Sequence, residues 1–250
     1  MKKIVKRAFT VAEVLITLMV IGVLAALSMP SIMLSHEKNT TQAGFADAYK
    51  EISKGIFNYA SDNSVGCQGK ISCTTLFQDD NTAELLATTF RASKKGKNCW
   101  EGQEIRNNID GSGSTTDLND LSCFIDGKNR IIATQTVLGD DDESCTTDFY
   151  IGQTTATGAT LKNKLQKSCG FVFVDLNGQK GPNTFGRDVF AFVATDAPPS
   201  YLYPVGGSLL KDGSYEGLSN WKEDKCEEKG EGRTCAGRIV EEGMKVKYLK

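Results

Sequence analysis

The sequence predicts an α+β protein: a long N-terminal helix packed on an antiparallel β-sheet head that disulfides hold together. Three observations carry that prediction. An apolar run from Val11 to Met29 contains one acid, Glu13, and follows a block holding Lys2, Lys3, Lys6 and Arg7 but no acid. Beyond it Phe45, Tyr49, Ile52, Ile56 and Tyr59 alternate spacings of four and three, an apolar stripe on one helical face. All eight cysteines, Cys67, Cys73, Cys99, Cys123, Cys145, Cys169, Cys226 and Cys235, lie downstream of the apolar run.

The chain divides into four stretches. Residues 1–8 form a basic leader, and 9–30 the transmembrane half of the helix. Residues 31–60 form its amphipathic half, and 61–250 the head. As a helix the 19 residues Val11–Met29 span about 28 Å, close to one bilayer core. The positive-inside rule keeps the leader in the cytoplasm and exports the rest. This agrees with the cysteines, which imply an oxidising compartment. Glu13 is the anomaly. A charge inside a membrane segment costs a few kcal/mol, and a plain anchor or secretory signal gains nothing from it. A carboxylate kept there predicts a partner for its charge. Gly22 and Pro30 lie on the same helix. Pro30 has no N–H, so the Ala26 carbonyl loses its helical donor. Either Pro30 marks the membrane exit with a modest kink, or Gly22–Pro30 is a weak segment that unwinds on packing.

The segment Arg7-Ala8-Phe9-Thr10-Val11-Ala12-Glu13-Val14-Leu15-Ile16-Thr17-Leu18 resembles the cleavage and methylation signal of type IV prepilins and type II secretion pseudopilins. In that family a membrane peptidase cuts before the apolar run. The new first residue is usually an N-methylated Phe, and the fifth is Glu. A cut between Ala8 and Phe9 puts Phe9 first, Glu13 fifth, Gly22 fourteenth and Pro30 twenty-second, a common pilin proline position. Ala8 stands where the family usually has Gly. The resemblance covers residues 1–35 and implies a pilin-like fold. It also implies a partner for Glu13, the α-amine of Phe9 on a neighbouring subunit, which is cationic near neutral pH. A paired buried charge is tolerable where an isolated one is not.

Within the head the sequence predicts a helix over Thr82–Phe90, capped by Asn81 or Thr82 with Glu84 in its first turn. Strands are expected at Arg130–Leu138, Phe171–Asp175 and Asp188–Ala194, the last two as an antiparallel pair. The first helix should end near Ala60, before Ser61-Asp62-Asn63-Ser64-Val65-Gly66, and Gly44 reads as a soft spot in it. Residues 101–120 read as a surface loop, and 211–235 as a tail that depends on its cysteines. Asp140-Asp141-Asp142-Glu143 reads as a solvated acidic loop.

Eight cysteines allow 105 pairings. Close spacing favours Cys67 with Cys73 and Cys226 with Cys235. A zinc site lacks a C-x-x-C pair, and His36, the lone histidine, leaves the head without an imidazole ligand or base. No enzyme is expected.

Between the paired strands lies Asp175-Leu176-Asn177-Gly178-Gln179-Lys180-Gly181-Pro182-Asn183-Thr184-Phe185-Gly186-Arg187-Asp188. Asp-x-Asn-Gly resembles the opening of calcium loops. Asp175, Asn177, Asn183 and Asp188 are its candidate Ca²⁺ ligands. The other reading is a hairpin connection, because Asn-Gly and Gly-Pro-Asn form turns and Asp caps them. No cofactor is required under either reading.

The family resemblance implies a structural subunit, a minor pilin or pseudopilin of a type IV pilus or type II secretion-type filament. Its partners would be other pilin subunits, the prepilin peptidase, the assembly platform with its ATPase, and the inner membrane. Its location would be the inner membrane, single-pass, with the head in the periplasm or outside. A membrane-anchored or secreted adhesin is the alternative. Loss of the leader moves the net charge from −2 to −6, so no nucleic-acid partner is expected.

Overall fold

The structure is a computed structural model. It describes residues 10–63, 66, 69–78, 81–137, 145, 147–154, 160–196, 200–207 and 226–249, with 147–154 and 160–166 described by backbone alone. It divides into two compact units, one ending at Thr40 and one beginning at Thr41. The architecture is α+β, with a long apolar N-terminal helix, an antiparallel sheet and disulfides.

Helix α1 spans Val11–Asn63, 53 residues. The stretch in the first unit contains an 18-residue window of mean hydropathy 2.4, none of it buried. By length and composition it is the one described helix that could cross a membrane. The helix passes through Gly22 and Pro30 without a break.

In the second unit the remainder of α1 buries Phe45, Ala48, Ile52, Ile56 and Ala60. These are the stripe residues and their same-face neighbours. Tyr49 is half-buried and donates to the Leu202 carbonyl at 3.2 Å. The helix runs to Asn63, three residues past the expected end at Ala60. The partner surface is strand β8 (Val189–Thr195), buried along its whole length. Phe45 meets Phe190 edge-on at 4.9 Å between ring centres and lies 5.6 Å from Phe192. Gly44 is a close approach rather than a soft spot. A Cβ there would sit 3.3 Å from Leu176 Cδ1.

The main sheet is antiparallel throughout. Its strands are β1 (Lys94–Gly96), β4 (Ser122–Ile125), β5 (Ile131–Thr136), β6 (Thr147–Thr154), β7 (Thr160–Asp175), β8 and β9 (Leu202–Pro204). The order is β1-β4-β5-β7-β8-β9, and β6 pairs the first part of β7. Strands β7 and β8 pair as expected, with Asp175 opposite Val189. Strand β5 fills most of the predicted Arg130–Leu138 run. Strand β7 begins eleven residues before the predicted Phe171, in the lysine-bearing segment TLKNKLQKS. Residues 101–120 are more than a surface loop. They hold a small hairpin of β2 (Ile105–Arg106) and β3 (Thr115–Thr116), and they bury Ile105, Ile109 and Leu118. Those three widely spaced apolar residues anchor an otherwise polar segment.

Helix α2 (Thr82–Thr89) follows the prediction to within a residue, but Asn81 makes no side-chain cap bond. Instead Thr82 Oγ1 accepts the Phe77 N–H at 2.7 Å. A third helix, α3 (Cys235–Glu241), follows the cysteine-bearing tail. Three disulfides tie the described head: Cys99–Cys123, Cys145–Cys169 and Cys226–Cys235. The last is the local loop the spacing favours. Cys73 is also disulfide-bonded. Cys67 and the 140–143 acidic run lie outside the described residues.

A charged clasp joins α1 to the turn between β4 and β5. Lys128 Nζ donates to Asp47 Oδ2 at 2.6 Å and to Glu51 Oε1 at 2.8 Å. Arg130, 3% exposed, pairs with Asp126 Oδ2, with Asp47 Oδ2 at 2.9 Å, and with Glu51. Asp47 and Glu51 thus tie the helix to this turn from positions off the apolar stripe. The Lys128 ammonium, with Arg130 behind it, holds both carboxyls below their ordinary range. A carboxyl lowered on folding stabilises the fold above its unfolded pKa, about 4–4.5, and loses that effect as pH falls through the folded value. We therefore expect Asp47→Asn/Glu51→Gln to lower Tm at pH 7, with the gap to the parent narrowing by pH 3. Both acids are partly exposed, so screening keeps the effect modest. An equal gap at both pH values would count against the clasp.

Candidate functional site

Two regions hold the residues singled out by the sequence. The first is the start of α1. Ala8 and Phe9 lie outside the described residues. Thr10 and Glu13 form a reciprocal cap. The Thr10 N–H and hydroxyl both donate to Glu13 Oε2 at 2.8 Å, and the Glu13 N–H donates to Thr10 Oγ1 at 3.2 Å. This is a capping box, readable in the sequence as Thr-x-x-Glu. It corrects the expectation that an anchor helix gains nothing from Glu13. The carboxylate also suits the positive end of the helix dipole. Within the described residues the bonds to the Glu13 carboxylate fall on Oε2.

The second region is the loop from Leu176 to Asp188 that joins β7 to β8. The sheet register places its two ends together, because Asp175 closes β7 and Asp188 immediately precedes β8. The Leu176 N–H donates to the Asp188 carbonyl at 2.8 Å, which closes the loop. Asp188 Oδ1 accepts the Thr184 N–H at 2.6 Å. Its Oδ2 accepts the Asn183 N–H at 2.9 Å and Asn177 Nδ2 at 3.2 Å. Asp175 Oδ1 accepts the Asn177 N–H at 3.1 Å, and Oδ2 accepts Trp100 Nε1 at 2.8 Å. All four predicted residues therefore meet in one loop.

Both acids are buried, Asp175 completely. Burial first, and then the Asp188 charge, push the Asp175 carboxyl well above its ordinary range. Burial pushes Asp188 up as well, against the N–H groups of Thr184 and Asn183. Every hydrogen bond described to either carboxylate comes from a neutral N–H group. Neutral donors orient a carboxylate without cancelling its charge. The loop also holds two buried carbonyl oxygens without a donor, Asn177 Oδ1 and Asn183 Oδ1. Such groups are rare. The turn reading accounts for the bonds to Asp188 but for neither orphaned oxygen.

Sequence reasoning missed Trp100 and Gln103, which hold the loop from outside. Asn183 Nδ2 donates to Gln103 Oε1 at 2.5 Å, and Gln179 Nε2 donates to the Cys99 carbonyl at 3.0 Å. The Cys99–Cys123 disulfide fixes that neighbourhood. These contacts span 75 to 80 residues, and no local pattern announces them.

Two other places offer ligand groups. Sulfurs of Cys145 and Cys169 and an Asp196 carboxylate lie within 4.8 Å of one another. The cysteines form a disulfide, so neither is a thiolate ligand. An open groove of about 390 Å³ runs beside the charged clasp, where Lys128 and Arg130 are already engaged by acids.

No known family model, curated protein or solved structure matches this chain.

Proposed function

We infer that the chain is a structural subunit, a minor pilin or pseudopilin of a type IV pilus or type II secretion-type filament. The observation that carries this reading is the N-terminal helix. Its apolar stretch buries no residue within the chain and carries one acid, Glu13, near its start. The same helix supplies buried residues of the head from Thr41 onward. A signal peptide that is cut away has no need to continue into a folded core. In this reading a prepilin peptidase cuts between Ala8 and Phe9, and the apolar stretch anchors the subunit in the inner membrane. An assembly platform and its ATPase then move it into a filament of like helices. The chain acts mechanically, as a peptidase substrate and a building unit rather than as an enzyme.

The testing measurement is the mature N-terminus, by mass spectrometry of membrane-extracted protein. The expected result is Phe9, N-methylated, as the first residue. A first residue near Met29 would remove the filament reading and leave a secreted binding protein or adhesin.

A further inference from the structure

We propose that the groove beside the charged clasp docks an extended peptide through its acidic side chains, which Lys54 and Arg91 receive. The proposal goes beyond the filament reading and does not depend on it.

The walls come first. The groove lies between the head-facing part of α1, the end of α2 and the turn between β4 and β5, and it holds about 390 Å³. That is within the range of ligand sites. Gly55 lets α1 and α2 meet. A Cβ there would fall 2.6 Å from Phe90 Cζ, so the ring occupies the space a side chain would take. The same ring packs on Phe124, with 5.5 Å between ring centres. The groove is thus lined by an aromatic ring that two contacts hold in place.

The groups left over decide the sign of the ligand. The acids of the clasp, Asp47, Glu51 and Asp126, are already paired with Lys128 and Arg130. Lys54 and Arg91 also line the groove and are exposed. Among the described residues their side chains make no ion pair or hydrogen bond. The side chains of Asn58 and Thr89, on the same lining, are in the same condition. Cations and neutral polar groups therefore remain, and no acid does.

Arg91 gives the second observation. It follows Phe90, the C-cap of α2, and has φ +50°. The Ala92 N–H donates to the Ala87 carbonyl at 3.2 Å. This is a Schellman ending, and the left-handed residue of such an ending is usually glycine. A cation suits the negative end of a helix, but the last turn of α2 offers that benefit without a left-handed backbone. The guanidinium is kept where the backbone favours glycine, on the wall of a groove that holds a second unpaired cation.

The ligand class follows. A guanidinium takes a carboxylate through two parallel N–H bonds, and Lys54 adds a point charge. Glu51 and Asp126 also line the groove, so a continuous polyanion would meet their charges. Carboxylates separated by neutral residues avoid them. The groove is open, whereas a small-molecule site encloses most of its ligand. An extended chain that continues past both ends suits it, with Asn58 and Thr89 as partners for peptide groups.

The test uses the full chain in detergent and the fluorescence anisotropy of a dye-labelled peptide of alternating glycine and glutamate. Salt is held at about 50 mM, where screening is weak. We expect saturable binding below about 1 mM, and binding about tenfold weaker when glutamine replaces glutamate. Arg91→Gly should weaken binding about tenfold while Tm stays equal or rises, because glycine suits the left-handed position. Lys54→Gln should weaken it as well. No saturation, equal binding of the two peptides, or unchanged binding by Arg91→Gly would overturn the site. Tighter binding of an oligothymidylate of equal length would overturn the peptide assignment.

Discussion

Glu13→Gln is expected to abolish filament assembly while leaving membrane insertion and the start of α1 intact. Glutamine still fits the capping box, because its side-chain carbonyl can accept the Thr10 donors that Glu13 Oε2 accepts now. It cannot supply the charge. In the proposed filament the Glu13 carboxylate meets the amine of a neighbouring Phe9, and truncating one partner of a desolvated pair strands the other. That costs about 3–5 kcal/mol per contact, and a filament repeats the contact at every subunit. Glu13→Val removes both cap and charge and should fail equally. Surface-filament yield, with membrane-fraction protein as the control, reads the result. Normal filaments from Glu13→Gln would reduce Glu13 to a helix cap.

The second large effect falls on the clasp. Arg130→Met leaves Asp126, 4% exposed, as a buried carboxylate held only by the backbone N–H groups of residues 128 and 130, each at 2.9 Å. Loss of the cation should cost about 3–5 kcal/mol, or about 6–20 °C in Tm for a unit of this size. Adding Asp126→Asn removes the stranded charge yet keeps an acceptor for those N–H groups, so the double variant should recover most of the loss. A single variant within 1 °C of the parent would show that the guanidinium contributes little.

The legible parts of this fold are those where one face or one turn decides. The 4-3 stripe from Phe45 to Tyr59 predicted the buried side of α1. The Val- and Phe-rich runs predicted where β7 meets β8, and turn chemistry predicted that Asp175, Asn177, Asn183 and Asp188 share a loop. What stayed hidden depends on distant partners. The early part of β7 pairs with β6 through its backbone, which residue type barely records in a segment as polar as residues 160–168. The Cys99–Cys123 and Cys145–Cys169 links each span 24 residues, and close spacing cannot suggest them. No local pattern announces the ion pairs of Asp47 and Glu51, because their cations lie about 80 positions away. The cap at Thr10 and Glu13 is different. Its Thr-x-x-Glu signal is wholly local.

If, as proposed, the chain is delivered head-last through a membrane, the long reach of the α1 contacts sets an order of events. Thr41 waits for Arg187, 146 residues later, and Tyr49 waits for Leu202, 153 residues later. The segment from Thr41 to Ala60 thus emerges early and finds its sheet only after most of the chain has followed. Closing loops of this length before any contact rewards them slows folding. Until then the Phe45–Ile56 face has no sheet to pack against. In the proposed reading, folding of the head is therefore a late event, timed by the arrival of Leu202 rather than by the helix that leads the way.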